Sequence, residues 1–124
     1  MKAKKLYFKE THLAGRQYHD CDEVFDELKV GTLLRLERDL DNRYDHNAVA
    51  VVYVRPYPAA DGQTPETEEF LLGYIPAREN ETIAQLLEMG WTDIFECRIS
   101  RIKPEAHYED QIHLTIRIKR AHME

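Results

Sequence analysis

The sequence is poor in cysteine, and its two cysteines are badly placed for chemistry. Cys21 and Cys97 lie far apart and have no partner cysteines at metal-ligand spacing. This usage is typical of cytoplasmic proteins with reduced thiols, so neither a disulfide framework nor a zinc site is predicted. Acidic residues flank Cys21, which should raise its pKa and leave the thiol unreactive, and Cys97 is expected in the core.

Long apolar runs are also missing from the sequence. No run approaches the roughly 20 residues that a membrane helix needs. The N-terminal residues 1–8 begin with basic residues but lack the apolar core of a signal peptide. We therefore expect a cytoplasmic protein with no membrane partner.

The familiar motifs of enzymes are absent too. The sequence has no Cys-x-x-Cys, no His-Glu-x-x-His, no phosphate-cradling glycine loop and no serine elbow, and its only serine, Ser100, lies in a predicted strand. The run His19-Asp20-Cys21-Asp22 contains several ligand types. Adjacent residues of an extended segment point in opposite directions, so this run cannot hold a metal alone. We expect no catalytic residue, no metal and no cofactor.

The composition is that of an ordinary globular domain. The chain has 124 residues, of which 43% are hydrophobic and 32% charged, and we interpret residues 1–124 as one domain. The net charge of −6 argues against coating long nucleic acid by charge alone. Lysines and arginines gather at the two ends of the chain, so a local basic face requires that the terminal strands lie side by side.

Alternating apolar and polar residues are the main structural signal. Ile112, Leu114, Ile116 and Ile118 alternate with polar residues, and Ala48–Val54 is almost entirely apolar and rich in β-branched residues. Six strands are predicted in this way, at residues 5–12, 32–38, 48–54, 70–75, 94–102 and 111–119. Short helices are predicted at 22–28 and after Asn80, which is a good N-cap residue. The fold class is therefore all-β or β-rich, a small OB-like or SH3-like six-stranded barrel with one or two short helices.

Two polar segments interrupt this pattern. Residues 39–47 form a turn rich in Asp and Asn that passes directly into a strand, so a rigid element would hold a loop with Tyr44 and Asp45 at its tip. Residues 56–69 form a proline-bearing insertion, predicted to be a mobile hairpin tip.

Three segments of the chain resemble one known family. They are Leu13-Ala-Gly-Arg-Gln-Tyr-His19, the stretch from Leu34 to Val51 that contains Asp41-Asn-Arg-Tyr-Asp-His-Asn47, and Leu72-Gly-Tyr-Ile-Pro-Ala-Arg-Glu-Asn80. Together they are similar to a HIRAN domain, which is known from SWI/SNF-type fork-remodelling translocases and from small stand-alone bacterial proteins. The resemblance covers roughly residues 5–102, and the second segment is its most specific part.

The resemblance implies an OB-like barrel that binds the 3′ end of single-stranded DNA, in DNA repair or replication-fork processing. In the family pattern, two aromatic residues hold the terminal nucleotide and an aspartate accepts a hydrogen bond from the free 3′-hydroxyl. These residues correspond to Tyr18, Tyr44 and Asp45. A carboxylate beside a nucleic-acid backbone is useful only where a phosphate is missing, as at a free 3′-hydroxyl.

Neighbouring polar residues complete the predicted site. Arg16, Arg43 and Arg78 are the candidates for contacts with adjacent phosphates. Gln17 and His19 are candidates for the backbone or a base edge.

Structural roles remain open for the same residues. Tyr44 could plug the edge of the barrel, Tyr18 could pack, and Asp45 could cap the turn by accepting backbone N–H bonds. The acidic charge also leaves open a protein-interaction module, in which an exposed Phe- and Pro-bearing region 56–70 serves a protein partner.

Overall fold

The structure is a computed structural model that describes residues 4–57 and 59–120. Within these residues it contains six strands and three short α-helices. The strands are β1 (Lys5–His12), β2 (Leu33–Arg38), β3 (Val49–Tyr57), β4 (Glu66–Tyr74), β5 (Phe95–Ile102) and β6 (Ile112–Lys119). The α-helices are α1 (Cys21–Val24), α2 (Glu81–Glu88) and α3 (Tyr108–Gln111), and single 3₁₀ turns lie at Arg16–Tyr18, Phe25–Glu27 and Ala77–Glu79. The β-rich class predicted from the sequence is confirmed.

The six strands form one antiparallel sheet in the order β1-β6-β5-β2-β3-β4. Strand β2 pairs with β5 through Leu33 and Leu34, and with β3 from Arg35 to Arg38, so it joins two halves of the sheet. The two terminal strands, β1 and β6, lie side by side along their whole length. This pairing is the arrangement that a local basic face requires.

The predicted barrel is closed only loosely. The edge strands β1 and β4 do not form a ladder, so the sheet is not closed by a continuous row of hydrogen bonds. Just beyond β1, an isolated bridge joins Ala14 to Tyr74 through two backbone hydrogen bonds of 2.9 Å each. In the part of the chain that the structure describes, this is the only β-bridge between the two edges, so the fold is a curved sheet with a loosely joined seam.

The core lies on the inner face of this sheet. Ile112, Leu114 and Ile116 alternate inward along β6 and are completely buried, as their spacing predicts. Helix α2 covers one end of the sheet with Ile83, Ala84 and Leu87. The other buried core residues come from β2 to β5, from α1 and from loops, and Phe8 of β1 packs against them while half-buried. Since these apolar residues are far apart in the sequence, the core fixes the relative positions of the loops that connect the strands.

Several element boundaries differ from the prediction. The hairpin arms of β3 and β4 pair from Ala50 and Tyr74 out to Tyr57 and Glu66, so both ends of the predicted insertion, residues 56–57 and 66–69, are strand. Helix α3 was not predicted. Helix α2 ends in a Schellman motif, in which Gly90, at a φ of 98°, donates to Leu87 and Trp91 donates to Leu86, which agrees with the predicted cap at Gly90. No helix in the described residues is long and apolar enough to cross a membrane.

Candidate functional site

The first predicted loop is anchored to the end of β4. Beyond the bridge between Ala14 and Tyr74, Asp20 donates its backbone N–H to the Leu71 carbonyl at 2.9 Å. Gly15 has a φ of 71° and begins a 3₁₀ turn in which Tyr18 donates to the Gly15 carbonyl at 3.1 Å. This turn leaves the Tyr18 side chain largely in solvent, with 78% of its surface exposed.

Arg16 lies inside this loop and not on its surface. Its guanidinium donates to the Asp22 carboxylate at 2.5 Å and to the Cys21 sulfur at 3.4 Å. The rings of Phe25 and Tyr108 lie 4.8 and 5.2 Å from the guanidinium carbon. With its side chain only 3% exposed, Arg16 holds the first loop together and presents no free surface to a phosphate.

Burial raises the pKa of both cysteine thiols. The pKa of Cys21 is raised, mainly because the thiol is buried, while Arg16 lowers it and Asp22 adds a smaller increase. The predicted direction was right, but burial and not the neighbouring acids is the main cause. Burial also raises the pKa of Cys97 to about 12, as expected for a core thiol.

The second predicted loop is a tight turn organised by the side chain of Asn42. Its Oδ1 atom accepts hydrogen bonds from the backbone N–H groups of Tyr44 at 2.9 Å and Asp45 at 3.0 Å. Asp39 and Ala48 close the base of the turn with a backbone hydrogen bond of 3.0 Å. The Tyr44 side chain projects from this fixed backbone with 98% of its surface exposed, so it does not plug the barrel edge.

Asp45 has a structural role in the same turn. One carboxylate oxygen accepts from the backbone N–H of Asn47 at 2.9 Å, and the other accepts from the Asn80 amide at 2.7 Å. The turn-capping interpretation is therefore correct for one of the oxygens. A carboxylate has about four lone-pair sites, so a half-buried Asp45 that uses two of them retains capacity for a further donor.

Tyr74, at the end of β4, connects the two loops. Its hydroxyl donates to the carboxylate of Asp39 at 2.5 Å, and Asp39 lies at the base of the second turn. Its ring meets the ring of His19 from the first loop edge-on, with centroids 5.3 Å apart. Burial, together with the bond to Asp39, raises the pKa of Tyr74 to about 12. The first loop, through His19, and the second turn, through Asp39 at its base, thus both contact Tyr74.

The sequence that forms these loops matches a known protein family. A model of the HIRAN domain matches residues 6–119. The chain belongs to the HIRAN family. A crystal structure of a protein from Lactobacillus plantarum is similar, with a TM-score of 0.65 and 20% sequence identity over 94% of this chain and 97% of that chain, which shows a shared fold. No curated protein matches the chain. Membership of the HIRAN family implies nucleic-acid binding.

The remaining predicted contacts of this HIRAN domain differ in accessibility. Arg43, on the second turn, and Arg78, in the 3₁₀ turn at Ala77–Glu79, are exposed, and neither forms an ion pair with another described residue. Gln17 and His19 are half-buried. The side-chain oxygen of Gln17 is buried and has no hydrogen-bond partner among the described residues. Of the three predicted arginines, Arg43 and Arg78 are therefore the two whose charges reach solvent.

Two residues that organise the site were not recognised from the sequence. Asn80 was predicted as a helix N-cap, and it does precede α2, but its side chain makes no cap bond and binds Asp45. Asn80 is 1% exposed, and its Oδ1 atom has no partner among the described residues. Tyr74 was predicted only to pack. A signal for both was available, because each lies in the third family segment, but their partners are about 35 residues away in the chain.

The region 56–70, which was expected to expose Phe70 to a protein partner, buries this side chain. Phe70 is 7% exposed and packs beside Tyr53 and the Arg55 guanidinium, so it offers no exposed surface. Arg55 in turn pairs with Glu27 at 2.6 Å and Glu68 at 2.7 Å, which ties the hairpin to the body of the HIRAN domain. In the described residues, no three His, Cys, Asp or Glu side chains lie close enough to hold a metal ion.

Proposed function

We propose that this HIRAN protein binds the 3′ end of single-stranded DNA without catalysing a reaction on it. The terminal nucleotide lies against the rings of Tyr18 and Tyr44, and its free 3′-hydroxyl donates to Asp45. The observation that carries the proposal is the exposure of both tyrosines on loops that meet at Tyr74. The same proposal assigns the protein to DNA repair or replication-fork processing, where free 3′ ends arise.

The exposure of the two tyrosines supports the proposal, because rings that lie in solvent have no role in packing the core. A ring that is 98% exposed contributes almost nothing to the core, yet Tyr44 stands on a turn held by two hydrogen bonds to Asn42. A rigid backbone under an exposed ring lowers the entropy cost of stacking a base on that ring. Stacking of a base on an aromatic residue is worth roughly 1–3 kcal/mol and tolerates any base.

The second support is the chemistry of Asp45. A carboxylate repels phosphates but accepts a hydrogen bond from a hydroxyl, so it favours a strand end without a phosphate. The Asn80 amide holds the carboxylate in place from the protein side. Arg43 and Arg78 are the exposed cations close in sequence to Asp45 and Asn80, and we assign them to the neighbouring phosphates.

Fluorescence anisotropy with an oligonucleotide of about 5 nucleotides, within the size range of an OB-fold site, tests the proposal. The oligonucleotide with a free 3′-hydroxyl should bind more tightly than the same strand with a 3′-phosphate. Changing Asp45→Asn should remove this preference. The variant is expected to fold, because Asn80 can turn its amide and present its unpartnered oxygen to the new NH₂ group.

The role of stacking is tested by Tyr44→Ala. Loss of one stacked base should weaken binding by about 5- to 150-fold. Stability should change by less than about 0.5 kcal/mol, because the side chain is on the surface. Tyr57→Ala, on the distal hairpin, is the matched control and should leave binding unchanged. Equal binding of both strand ends by the unmodified protein, or no binding of either, would refute the proposed function.

A further inference from the structure

A second cationic surface lies where the two ends of the chain meet. Because β1 and β6 are antiparallel, Lys5 is directly opposite Lys119, and Arg120 donates its backbone N–H to the Lys4 carbonyl at 3.0 Å. A cavity of about 260 Å³ opens at this point. We name it the terminal basic groove; it is lined by Lys4, Lys5, Leu6, Ile118, Lys119 and Arg120.

The charges of this groove are only partly neutralised within the protein. Lys5 pairs with Glu96 at 2.5 Å, and Lys5, then Arg98, holds the pKa of that carboxyl below its usual range. Among residues 4–57 and 59–120, no carboxylate forms an ion pair with Lys4, Lys119 or Arg120. Like charges directly opposite each other on neighbouring strands destabilise a sheet. A protein whose net charge is −6 thus places three cations that have no ion-pair partner among the described residues in one small groove.

The apolar residues beside these cations indicate the chemistry of the ligand. Leu6 is 63% exposed at the groove, and Tyr7, the next residue of β1, is 59% exposed. On β6, Arg117 is the residue directly opposite Tyr7. Tyr7 and Arg117 share a face of the strand pair with Lys5 and Lys119, because side chains two residues apart in a strand point the same way. Cations on the same face as an exposed ring suit single-stranded nucleic acid, since cations contact phosphates and rings stack on bases.

We propose that the terminal basic groove binds the phosphodiester backbone of the same DNA strand whose 3′ end lies at Tyr18 and Tyr44. This inference rests on the proposed function. Strand β1 leads directly from the groove to the first loop: Lys5 and Ala14 are nine residues apart, which is about 30 Å of extended chain. At about 3.4 Å per phosphate along one stacked strand, this distance corresponds to roughly nine phosphates. A strand that reaches both surfaces must therefore be longer than one that fills the end site alone.

The test compares oligonucleotides of about 5 and about 16 nucleotides, both with a free 3′-hydroxyl and both within the range of single-strand site sizes. The longer strand should bind more tightly at low salt. Contacts from Lys4, Lys119 and Arg120 should make its salt slope, the fall of log K with log salt concentration, steeper by about 2.1. Between about 50 and 200 mM salt, this is roughly a 20-fold larger loss of affinity.

The double variant Lys119→Gln/Arg120→Gln removes two of these charges and keeps the backbone hydrogen bonds of both residues. It should reduce the salt slope for the long strand by about 1.4 and leave binding of the short strand unchanged. Lys29→Glu is the matched control, because it changes the net charge by the same two units at an exposed position outside the groove. This control should keep the steep slope.

The outcomes separate the groove from the end site. If the short strand shows its 3′-hydroxyl preference but the long strand gains nothing, the groove proposal is wrong and the proposed function stands. If the long strand binds through Lys119 and Arg120 without any end preference, the groove binds backbone and the end-site function fails. If anionic phosphatidylserine vesicles bind through these residues and the long strand does not, the groove is a membrane contact and the proposal is overturned.

Discussion

Replacing Gly73 with alanine should open the seam that joins the two edges of the sheet. Gly73 lies in β4 next to Tyr74, and a Cβ atom placed on it would be 2.4 Å from the Ala14 carbonyl oxygen. It would also lie 3.0 and 3.1 Å from two side-chain carbons of Leu13, which is completely buried. Gly73 is not among the positive-φ glycines, so this close approach, and not the backbone conformation, requires glycine here.

The loss of stability can be calculated from the contacts that Gly73→Ala disrupts. The segment 13–14 has to withdraw from β4, and the two hydrogen bonds between Ala14 and Tyr74 are then lost, each worth about 0.5–1.5 kcal/mol. Overpacking against Leu13 adds about 1–3 kcal/mol. Gly73→Ala should therefore lower the free energy of unfolding by about 2–6 kcal/mol. This corresponds to roughly 4 °C in Tm for each kcal/mol in a chain of this length.

Urea and thermal unfolding measure this loss, and Gly62→Ala is the control. Gly62 has a φ of 80°, and a Cβ atom added to it would meet no other atom within 4 Å. Its substitution should therefore cost only the backbone strain of about 1–2 kcal/mol. Affinity for a 3′-hydroxyl end should also fall for Gly73→Ala, because the displaced segment leads directly into the turn that carries Tyr18. If Gly73→Ala were no more destabilising than Gly62→Ala, the close approach of Ala14 and Leu13 would not be what requires glycine at this position.

Two further predictions concern residues around the site. Because the pKa of Tyr74 is raised from 10.0 to about 12, its protonated form contributes stability below pH 10 that is lost as the pH rises through 12. In urea unfolding, the stability difference between the unmodified protein and Tyr74→Phe should shrink between these pH values, and a constant difference would contradict this. Arg16→Lys should destabilise the protein by about 1–3 kcal/mol, because lysine cannot reproduce the stacked, bonded guanidinium. Unchanged stability with weaker DNA binding would instead make Arg16 a phosphate contact.

Local sequence patterns were enough for the strands and for much of the site. The alternation in β6 predicted its inward face, because side chains of a strand alternate between its two sides. The apolar run of β3 predicted a central strand, and β3 does lie between β2 and β4. Asn42 and Asp45 act within a few residues of their own position, so the turn that presents Tyr44 could be recognised from its composition. The end of helix α2 at Gly90 could also be predicted, because its hydrogen bonds join residues within the same helix turn.

Other features depend on contacts between distant segments. Arg16 looked like a surface cation until the rings of Phe25 and Tyr108 were placed on either side of it. Asn80 looked like a helix cap, although its partner Asp45 lies in another loop. The number of strands was correct, but whether they closed into a barrel depended on how β1 meets β4.

The amino-acid order was therefore sufficient for the β-rich class, the turn of Tyr44 and the family to which the chain belongs. Each of these follows from interactions among neighbours in the chain, which are visible as periodicity and residue type. The tertiary structure decided which polar side chains are buried, that both aromatic loops meet at Tyr74, and that cations from the two chain ends share one groove. Those outcomes depend on strand order and packing, in which residues about 35 to more than 100 positions apart become neighbours.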